Sequence, residues 1–348
     1  MSSLELPHRS LAVIVVEASV CASMNIISIV GNVLVCLAVY RNPRLRSSMN
    51  LYIIGLALSD LLCATVEMPA ATTVLIAGHW KFGNVLCQFQ GFVDVFVTAV
   101  SPVTMGLTAF NRYMRIVQTN RYNKIFSPLK SMIWLSCLWL LPALYFVISP
   151  VANWSKYAFI PGYAVCSITF SKFENRLAHY CCVFAFFFVL PFSVGVFSYY
   201  KIVLSIRQHK RAVVPSLRNS NGVRDGRISV REVDISCVLC YIAAGFLLCW
   251  IPMWAFIIWK RFFSTTAPRI AQQLVIVFLF LSSTINPFIY AATNSVFREE
   301  FRKLLFFWRV RKARRVTESG TEKRKDRRNK NGKQSSQALY VITSTSKL

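Results

Sequence analysis

Three acidic residues lie inside long apolar segments of this chain: Asp60, Glu67 and Asp94. A charged side chain at membrane depth is unfavourable, so each acid needs a partner or a function. Asp94 lies about five helical turns before Arg112 and Glu67 about two turns beyond Asp60. We expect Glu67 and Asp94 to border one outward-opening cavity, where paired acids favour a cation. The alternative is that either acid is protonated or bonds a neighbouring helix and contacts no ligand.

The other walls of this cavity are predicted to be mostly apolar and aromatic. An apolar pocket with a few convergent polar groups is the usual form of a small-ligand site. The predicted wall residues are Thr98, Phe184, Phe187, Trp250, Met253, Trp254 and Phe280.

Asp60 is predicted to lie in a polar network deeper in the membrane. Its expected neighbours at similar depth are Asn32, Ser101, Ser283 and Asn286. A carboxylate surrounded by hydroxyl and amide oxygens suits a small hard cation such as sodium. A water-filled network that only joins helices is the alternative.

The segments that carry these residues are long apolar runs. Hydrophobic residues make up 55% of the chain and charged residues only 16%, which indicates a membrane protein. A spanning helix needs ~20 apolar residues, and continuous rather than alternating apolar runs favour helices over a barrel. We predict an all-α bundle of seven transmembrane spans, at 12–40, 49–76, 84–115, 131–150, 178–206, 234–259 and 270–292.

The distribution of Lys and Arg predicts the orientation of the bundle. Most of the 40 basic residues lie in alternate loops and in the tail, so residues 1–11 are expected outside and the tail inside. The first apolar run is too long for a signal peptide and is expected to remain a helix. The polar tail, 309–348, is predicted to be disordered. The net charge of +26 follows this topology, which favours contact with anionic lipid over nucleic acid.

Two of the 11 cysteines lie outside the spans on the predicted outer side. Cys87 opens span 3 and Cys166 lies between spans 4 and 5, so both face an oxidising compartment and can pair. Asn153 begins an Asn-Trp-Ser sequon in the same loop, which makes it a candidate glycosylation site.

Several motifs in order along the chain make residues 12–308 resemble the rhodopsin-like G-protein-coupled receptors. They are Gly31-Asn32-Val33, Leu56-Ala57-Leu58-Ser59-Asp60, Cys87 with Cys166, Asn111-Arg112-Tyr113, Trp139, Pro191 with Tyr199, Cys249-Trp250-Ile251-Pro252, and Asn286-Pro287-Phe288-Ile289-Tyr290. The resemblance implies a plasma-membrane receptor domain over 12–308, with an outward ligand pocket and a heterotrimeric G protein as partner.

The resemblance also assigns an activation switch near the cytoplasmic face. Helix 6 is expected to move outward on activation, and Glu232 to pair with Arg112 in the inactive state. An amphipathic helix 8 is expected at Phe297–Phe307, and arrestin and a PDZ-domain protein are candidate tail partners. The predicted switch residues are Asn111, Arg112, Tyr113, Tyr199, Glu232, Asn286, Pro287 and Tyr290.

Four positions depart from the family pattern or narrow the subfamily. Asn111 replaces the usual acid beside Arg112, and Pro102 replaces a residue that usually packs in the core switch. Phe280 stands where opsins carry the retinal lysine, which argues against a retinal protein. Asp94 resembles the amine-binding acid of amine receptors. Asn111-Arg112-Tyr113 resembles the melatonin receptors, although they differ at Asp94 and Pro287.

Three alternatives to a signalling receptor fit the sequence to different degrees. An ion-coupled transporter or channel also places acids in membranes, but it predicts an internal repeat that the sequence lacks. A non-signalling decoy receptor is compatible with Asn111 and Pro102. An enzyme is not expected, because there is no Gly-rich phosphate loop and the four histidines are scattered.

Overall fold

Seven helical spans succeed one another in the computed structural model, which describes residues 4–45, 48–216, 230–263 and 267–306. For residues 48–49, 209–216, 230–243 and 261, only the backbone is described. Spans 2 and 5 each contain a π-helical turn. In order, the spans are Leu11–Arg41; Ser48–Leu62, Cys63–Glu67 and Met68–Ala77; Gly83–Ile116; Pro128–Val151; Phe173–Val183, Phe184–Val189 and Leu190–Ser216; Val230–Phe262; and Arg269–Thr293.

The predicted helical bundle is confirmed in this part of the chain. Among the described residues, six helices are long and apolar enough to cross a membrane. Span 6 adds the shorter apolar helix Ala244–Lys260, because the side chains before it are not described. Span 5 begins at Phe173, earlier along the chain than predicted.

The two π turns lie directly before prolines. Cys63–Glu67 precedes Pro69, and Phe184–Val189 precedes Pro191. Proline has no backbone N–H and its ring crowds the preceding turn, so a widened turn accommodates it. The widened turn also rotates the residues beyond it, which changes the direction of Glu67 relative to Asp60.

Span 3 is the central helix of the bundle. Buried residues make up 78% of its most apolar stretch, against 17% in spans 1 and 4. It contacts spans 2, 4 and 5 as well as the loop that follows span 4. Residues on several faces of span 3 therefore lie in the protein interior rather than against lipid.

The all-α prediction missed a β-hairpin between spans 4 and 5. Strands β1 (Lys156–Ile160) and β2 (Val165–Thr169) pair antiparallel, with Phe159 opposite Cys166. A short helix, Thr119–Ile125, also lies between spans 3 and 4. The hairpin matters most for function, because it covers the outer end of span 3.

A short helix follows span 7, close to the predicted helix 8. It begins at Ser295 and ends at Leu305. The chain divides into two compact units, Met1–Arg298 and Glu299–Leu348. In the second unit, Lys303 pairs with Glu299 at 2.7 Å and Glu300 at 3.1 Å, and these carboxylates raise the pKa of Lys303. The predicted disordered tail, 309–348, lies outside the described residues.

Candidate functional site

The hairpin is held across span 3 by a disulfide and by hydrogen bonds. Cys87 is bonded to Cys166, with their Cα atoms 5.3 Å apart, so the predicted pairing is confirmed. The backbone N–H of Cys166 donates to Gln90 Oε1 at 3.0 Å, and Gln88 Nε2 donates to the Tyr157 carbonyl at 2.9 Å. Strand β2 is thereby fixed directly above the outer part of span 3.

The closeness of this contact depends on a glycine in span 3. A Cβ atom on Gly91 would lie 2.7 Å from the ring of Tyr157, which is too close for any other residue without movement. The Tyr157 hydroxyl donates to the Phe146 carbonyl at 2.7 Å. Burial raises the pKa of Tyr157, so the phenol keeps the proton that it donates.

Asp94 lies beneath β2 and is bonded to it. The Ser167 hydroxyl donates to Asp94 Oδ2 at 2.5 Å, and the Asp94 side chain is only 8% exposed. Among the described residues, no basic side chain forms an ion pair with this carboxylate. The hydroxyl bond partly satisfies the acid but leaves its charge without a cation.

A cavity of about 90 Å³ opens beside Asp94. Thr98, Met253 and Trp254 line it together with Asp94, as predicted for the walls of the outer site. The indole Nε1 of Trp254 is buried without an acceptor among the described residues, so it can donate to a bound molecule. The cavity therefore combines an acid and a donor with apolar walls.

Asp60 lies in a hydrogen-bonded polar network deeper in the bundle. Its Oδ2 accepts a hydrogen bond from Asn286 Nδ2 at 2.9 Å, and the Ser283 side chain also bonds it. Asn32 Nδ2 donates to the Ser283 carbonyl at 3.1 Å, and the Ser101 hydroxyl lies 3.4 Å from that of Ser59. Spans 1, 2, 3 and 7 are thus joined at the depth predicted for this network.

The Asn111-Arg112-Tyr113 triplet, at the inner end of span 3, lies beside the short helix Thr119–Ile125. Asn111 Nδ2 donates to the Tyr122 hydroxyl at 3.4 Å, while Arg112 is 2% exposed. Tyr113 packs edge-on against Phe197 of span 5. Asn111 therefore bonds a neutral phenol of the following helix, where an acid would place a charge beside Arg112.

The family profile described as "7 transmembrane receptor (rhodopsin family)" matches residues 31–290, most of the chain. The chain belongs to this receptor family. The protein is therefore a multi-pass membrane receptor rather than an enzyme, as predicted.

Individual relatives agree with this assignment. The receptor is 28% identical to melatonin receptor type 1A of Mus musculus over 80% of its own chain and 77% of that protein. It is 26% identical to the histamine H2 receptor of Rattus norvegicus over 85% of its own chain and 80% of that protein. It also resembles the crystal structure of squid rhodopsin, with a TM-score of 0.73 at 23% identity, covering 87% and 88% of the two chains. The last comparison supports the fold alone.

Four predicted wall residues of the receptor lie near the cavity but do not line it. Phe184 packs on Trp254 with ring centroids 5.3 Å apart, and Phe187 faces Phe146 at 6.3 Å. Trp250 and Phe280 are almost fully buried in the core, at 1% and 0% exposure. These aromatic side chains support the cavity from behind and below.

Glu67 also lies outside the cavity lining. It is only 1% exposed, and neither carboxylate oxygen has a hydrogen-bond partner among the described residues. The Asp94 carboxylate lies within electrostatic range of it. Glu67 is thus close to the outer site without touching the cavity that Asp94 borders.

One residue of the predicted switch, Tyr199, lines a second cavity. It measures about 540 Å³ and lies among spans 3, 5 and 6, lined by Pro102, Pro191, Tyr199 and Phe246. Phe246 stacks on Trp250 with centroids 4.7 Å apart. Pro102 therefore borders an open space between these spans.

The remaining switch residues are in spans 6 and 7. Glu232 is in span 6, and Asn286, Pro287 and Tyr290 are in span 7. Gly31 of span 1 packs so closely on Pro287 that an added Cβ would lie 2.7 Å from the proline ring. Tyr290 stacks on Phe297 with centroids 5.5 Å apart. The Glu232 side chain lies outside the described residues, so its predicted pairing with Arg112 stays a prediction.

Sequence reasoning missed two polar groups at the cavity. Ser167 bonds Asp94, and His179 lines the cavity while its Nδ1 lies 2.9 Å from the Tyr145 hydroxyl. Ser167 directly follows Cys166, and the disulfide partner Cys87 lies about two turns before Asp94, so this contact was within reach. His179 lies within the predicted span 5, but only the structure shows that it lines the cavity.

The candidate glycosylation site is exposed on the loop before the hairpin. Asn153 has a φ of 58°, in the left-handed region that asparagine tolerates better than most residues. Ser155 of the same sequon bonds Ser149 with their hydroxyl oxygens 2.8 Å apart. Glycosylation of Asn153 stays a prediction.

Proposed function

We propose that the receptor binds a small amine or indole-like ligand in the outer cavity and activates a heterotrimeric G protein. The observation that carries this proposal is Asp94, a buried carboxylate in the cavity wall without a basic partner among the described residues. A ligand ammonium would supply the missing charge. The names of the mouse melatonin and rat histamine receptors support ligands of this size and chemistry.

The dimensions of the cavity favour a small ligand. Its volume of about 90 Å³ is below the roughly 300–1,000 Å³ of sites for drug-sized molecules. A larger ligand requires the hairpin to move, because Ser167 and Tyr163 of the hairpin form part of the lining. We therefore expect access to the site to involve displacement of the Ser167 hydroxyl from Asp94.

Activation would pass from the cavity to the cytoplasmic side through span 6. Trp254 lines the cavity, Trp250 lies about one turn below it, and Pro252 between them weakens the helix. A ligand that shifts these indoles would bias the inner half of span 6. Outward movement of span 6 would separate Arg112 from Glu232 and open the face for the G protein.

The test is agonist-stimulated nucleotide exchange on G proteins in membranes that contain the full-length receptor. A panel of amines, indoles and short peptides is applied to wild type, Asp94→Asn and the matched surface control Glu174→Gln. Loss of a buried charge pair costs about 2–5 kcal/mol, so Asp94→Asn should reduce the potency of a cationic agonist by ~30-fold or more. Surface expression and the Glu174→Gln response should be unchanged.

Other outcomes of this assay would select a different function. A ligand of equal potency on wild type and Asp94→Asn would remove Asp94 from the binding site. Glu232→Ala, in the same assay, should raise exchange without ligand if it pairs with Arg112. A receptor that binds amines but never stimulates exchange would be a decoy. Asn111 and Pro102, which depart from the family pattern, are the reason to test for this outcome.

The remaining partners are proposed on the family resemblance and on local chemistry. We place the receptor in the plasma membrane with its N-terminus outside, consistent with the Lys and Arg distribution. Asp60 and its amide and hydroxyl neighbours provide a donor set suited to sodium as an allosteric ion. Arrestin, a PDZ-domain protein and anionic lipid are proposed partners of residues 309–348, which lie outside the described part of the chain.

A further inference from the structure

Glu67 is the buried acid of this receptor that the proposed site leaves unexplained. The side chain is 1% exposed, and both Oε1 and Oε2 lack a hydrogen-bond partner among the described residues. Asp60 and Asp94 are equally buried, but each accepts a hydrogen bond. A buried carboxylate without partners is highly unfavourable unless something else supplies them.

The surroundings of Glu67 direct it toward the interior. The π turn that ends at Glu67 contacts spans 1, 3 and 7. The buried Cys63 thiol, at the start of that turn, lies within electrostatic range of Glu67, Asp60 and Asp94 together. Glu67 is itself within range of Asp94, the acid of the proposed ligand site. The two outer acids, Glu67 and Asp94, thus lie close enough together inside the bundle to interact electrostatically.

The nearby basic side chains are occupied by other partners. Arg269 donates to Glu17 at 2.5 Å, and Arg9 bonds the same carboxylate at 3.3 Å. Lys260 donates to Gln272 and lies over the Tyr163 ring. Among the described residues, none of these cations forms an ion pair with Glu67. A buried acid without a cation either keeps its proton or is compensated by a bound molecule, and a ligand cation can compensate both outer acids.

We propose that Glu67 and Asp94 together form a two-cation site, and that the receptor prefers a short diamine over a monoamine. This inference rests on the proposed function, since it assigns the second acid to the same ligand. One ammonium at Asp94 leaves the Glu67 charge uncompensated in a medium of low dielectric constant. A second ammonium, carried on a flexible methylene chain past the edge of the cavity, would reach Glu67. It would supply three N–H donors to the two carboxylate oxygens of Glu67.

The test compares linear diamines, from ethylenediamine to cadaverine, with the n-alkylmonoamine of the same chain length. Binding is measured as the ligand-dependent shift in thermal unfolding of the purified full-length receptor, which does not depend on the choice of G protein. The variants are wild type, Glu67→Gln, Asp94→Asn and the control Glu174→Gln, which removes an exposed acid that does not line the cavity. Each ligand is titrated in the same salt.

For wild type and Glu174→Gln, the best diamine should bind at least about tenfold more tightly than its monoamine. Glu67→Gln should narrow this ratio to about twofold or less, and Asp94→Asn should weaken both ligands. Equal affinities of diamines and monoamines for wild type would overturn the inference, even if Glu67→Gln does not fold. Retention of the diamine preference in Glu67→Gln would overturn it as well.

Two further outcomes separate this inference from the proposed function. If monoamines bind in an Asp94-dependent way but diamines gain nothing, the amine site stands and the role of Glu67 in ligand binding is wrong. If no amine stabilises wild type, the proposed function and the two-cation site both fail. Stabilisation by sodium chloride alone that disappears in Glu67→Gln would assign the acid to an inorganic cation and overturn the diamine proposal.

Discussion

The inner and outer parts of span 2 each bury a carboxylate, yet the two acids differ in their hydrogen bonds. Asp60 is 2% exposed and bonds the Asn286 amide and the Ser283 side chain. Glu67 is 1% exposed and has no hydrogen-bond partner among the described residues. Burial of an acid therefore does not indicate its role. The satisfied acid joins helices, whereas the unsatisfied one is suited to a ligand.

The largest effect on stability is expected where the hydrogen bond between Asn286 and Asp60 is removed. Asn286→Ala removes the amide that donates to Asp60 and leaves a buried carboxylate oxygen unpaired, which costs about 1–3 kcal/mol. Thermal unfolding of the receptor in detergent should shift down by several degrees. Thr284→Ala is the matched control, because the Thr284 hydroxyl bonds the Phe280 carbonyl of its own helix and, among the described residues, no other helix. Equal shifts for the two variants would mean that the Asp60 bond does not stabilise the bundle.

A smaller effect, on agonist potency, is expected at strand β2, which lies over Asp94. Ser167→Ala removes a hydroxyl that competes with a ligand ammonium for the carboxylate, and one such bond contributes about 1 kcal/mol. The potency of a cationic agonist should therefore rise about fivefold in the exchange assay. Thr169→Ala, on the same strand, should leave potency unchanged, because the Thr169 hydroxyl bonds the Lys156 carbonyl instead. A fall in potency for Ser167→Ala would make Ser167 a ligand contact rather than a competitor.

The smallest effect on stability is expected at Glu67. Glu67→Gln breaks no hydrogen bond of the described structure and removes an uncompensated charge, so stability should stay within about 0.5 kcal/mol or increase. Asp60→Asn is the direct comparison and should be less stable, because it alters a bonded network. Thermal unfolding without ligand measures both. A larger loss for Glu67→Gln than for Asp60→Asn would reverse the contrast between the two acids.

Sequence reasoning was most successful where local composition decides the structure. The apolar runs predicted the spans because a membrane helix must satisfy its backbone within itself and cover its length with apolar side chains. The pairing of Cys87 with Cys166 followed from their common side. The polar neighbours of Asp60 could be predicted because Asn32, Ser283 and Asn286 lie at matching depth on different spans.

The outer site was less predictable because it depends on irregular backbone. The regular helix assumed between Asp60 and Glu67 is interrupted by the π turn Cys63–Glu67. The hairpin was read as a plain loop, so the contact of Ser167 with Asp94 was missed. Of the predicted cavity walls, Thr98, Met253 and Trp254 line the cavity, while Trp250 and Phe280 lie in the core behind it.

The sequence alone determined that the chain spans the membrane repeatedly, which family it resembles, and which acids had to be explained. Span length, sidedness and motif order are properties of neighbouring residues, and they can be read without coordinates. Only the tertiary structure decided which acids accept hydrogen bonds. That outcome depends on the partners that distant spans and the hairpin bring to each carboxylate, and a π turn or a strand changes them without altering the pattern of apolar residues.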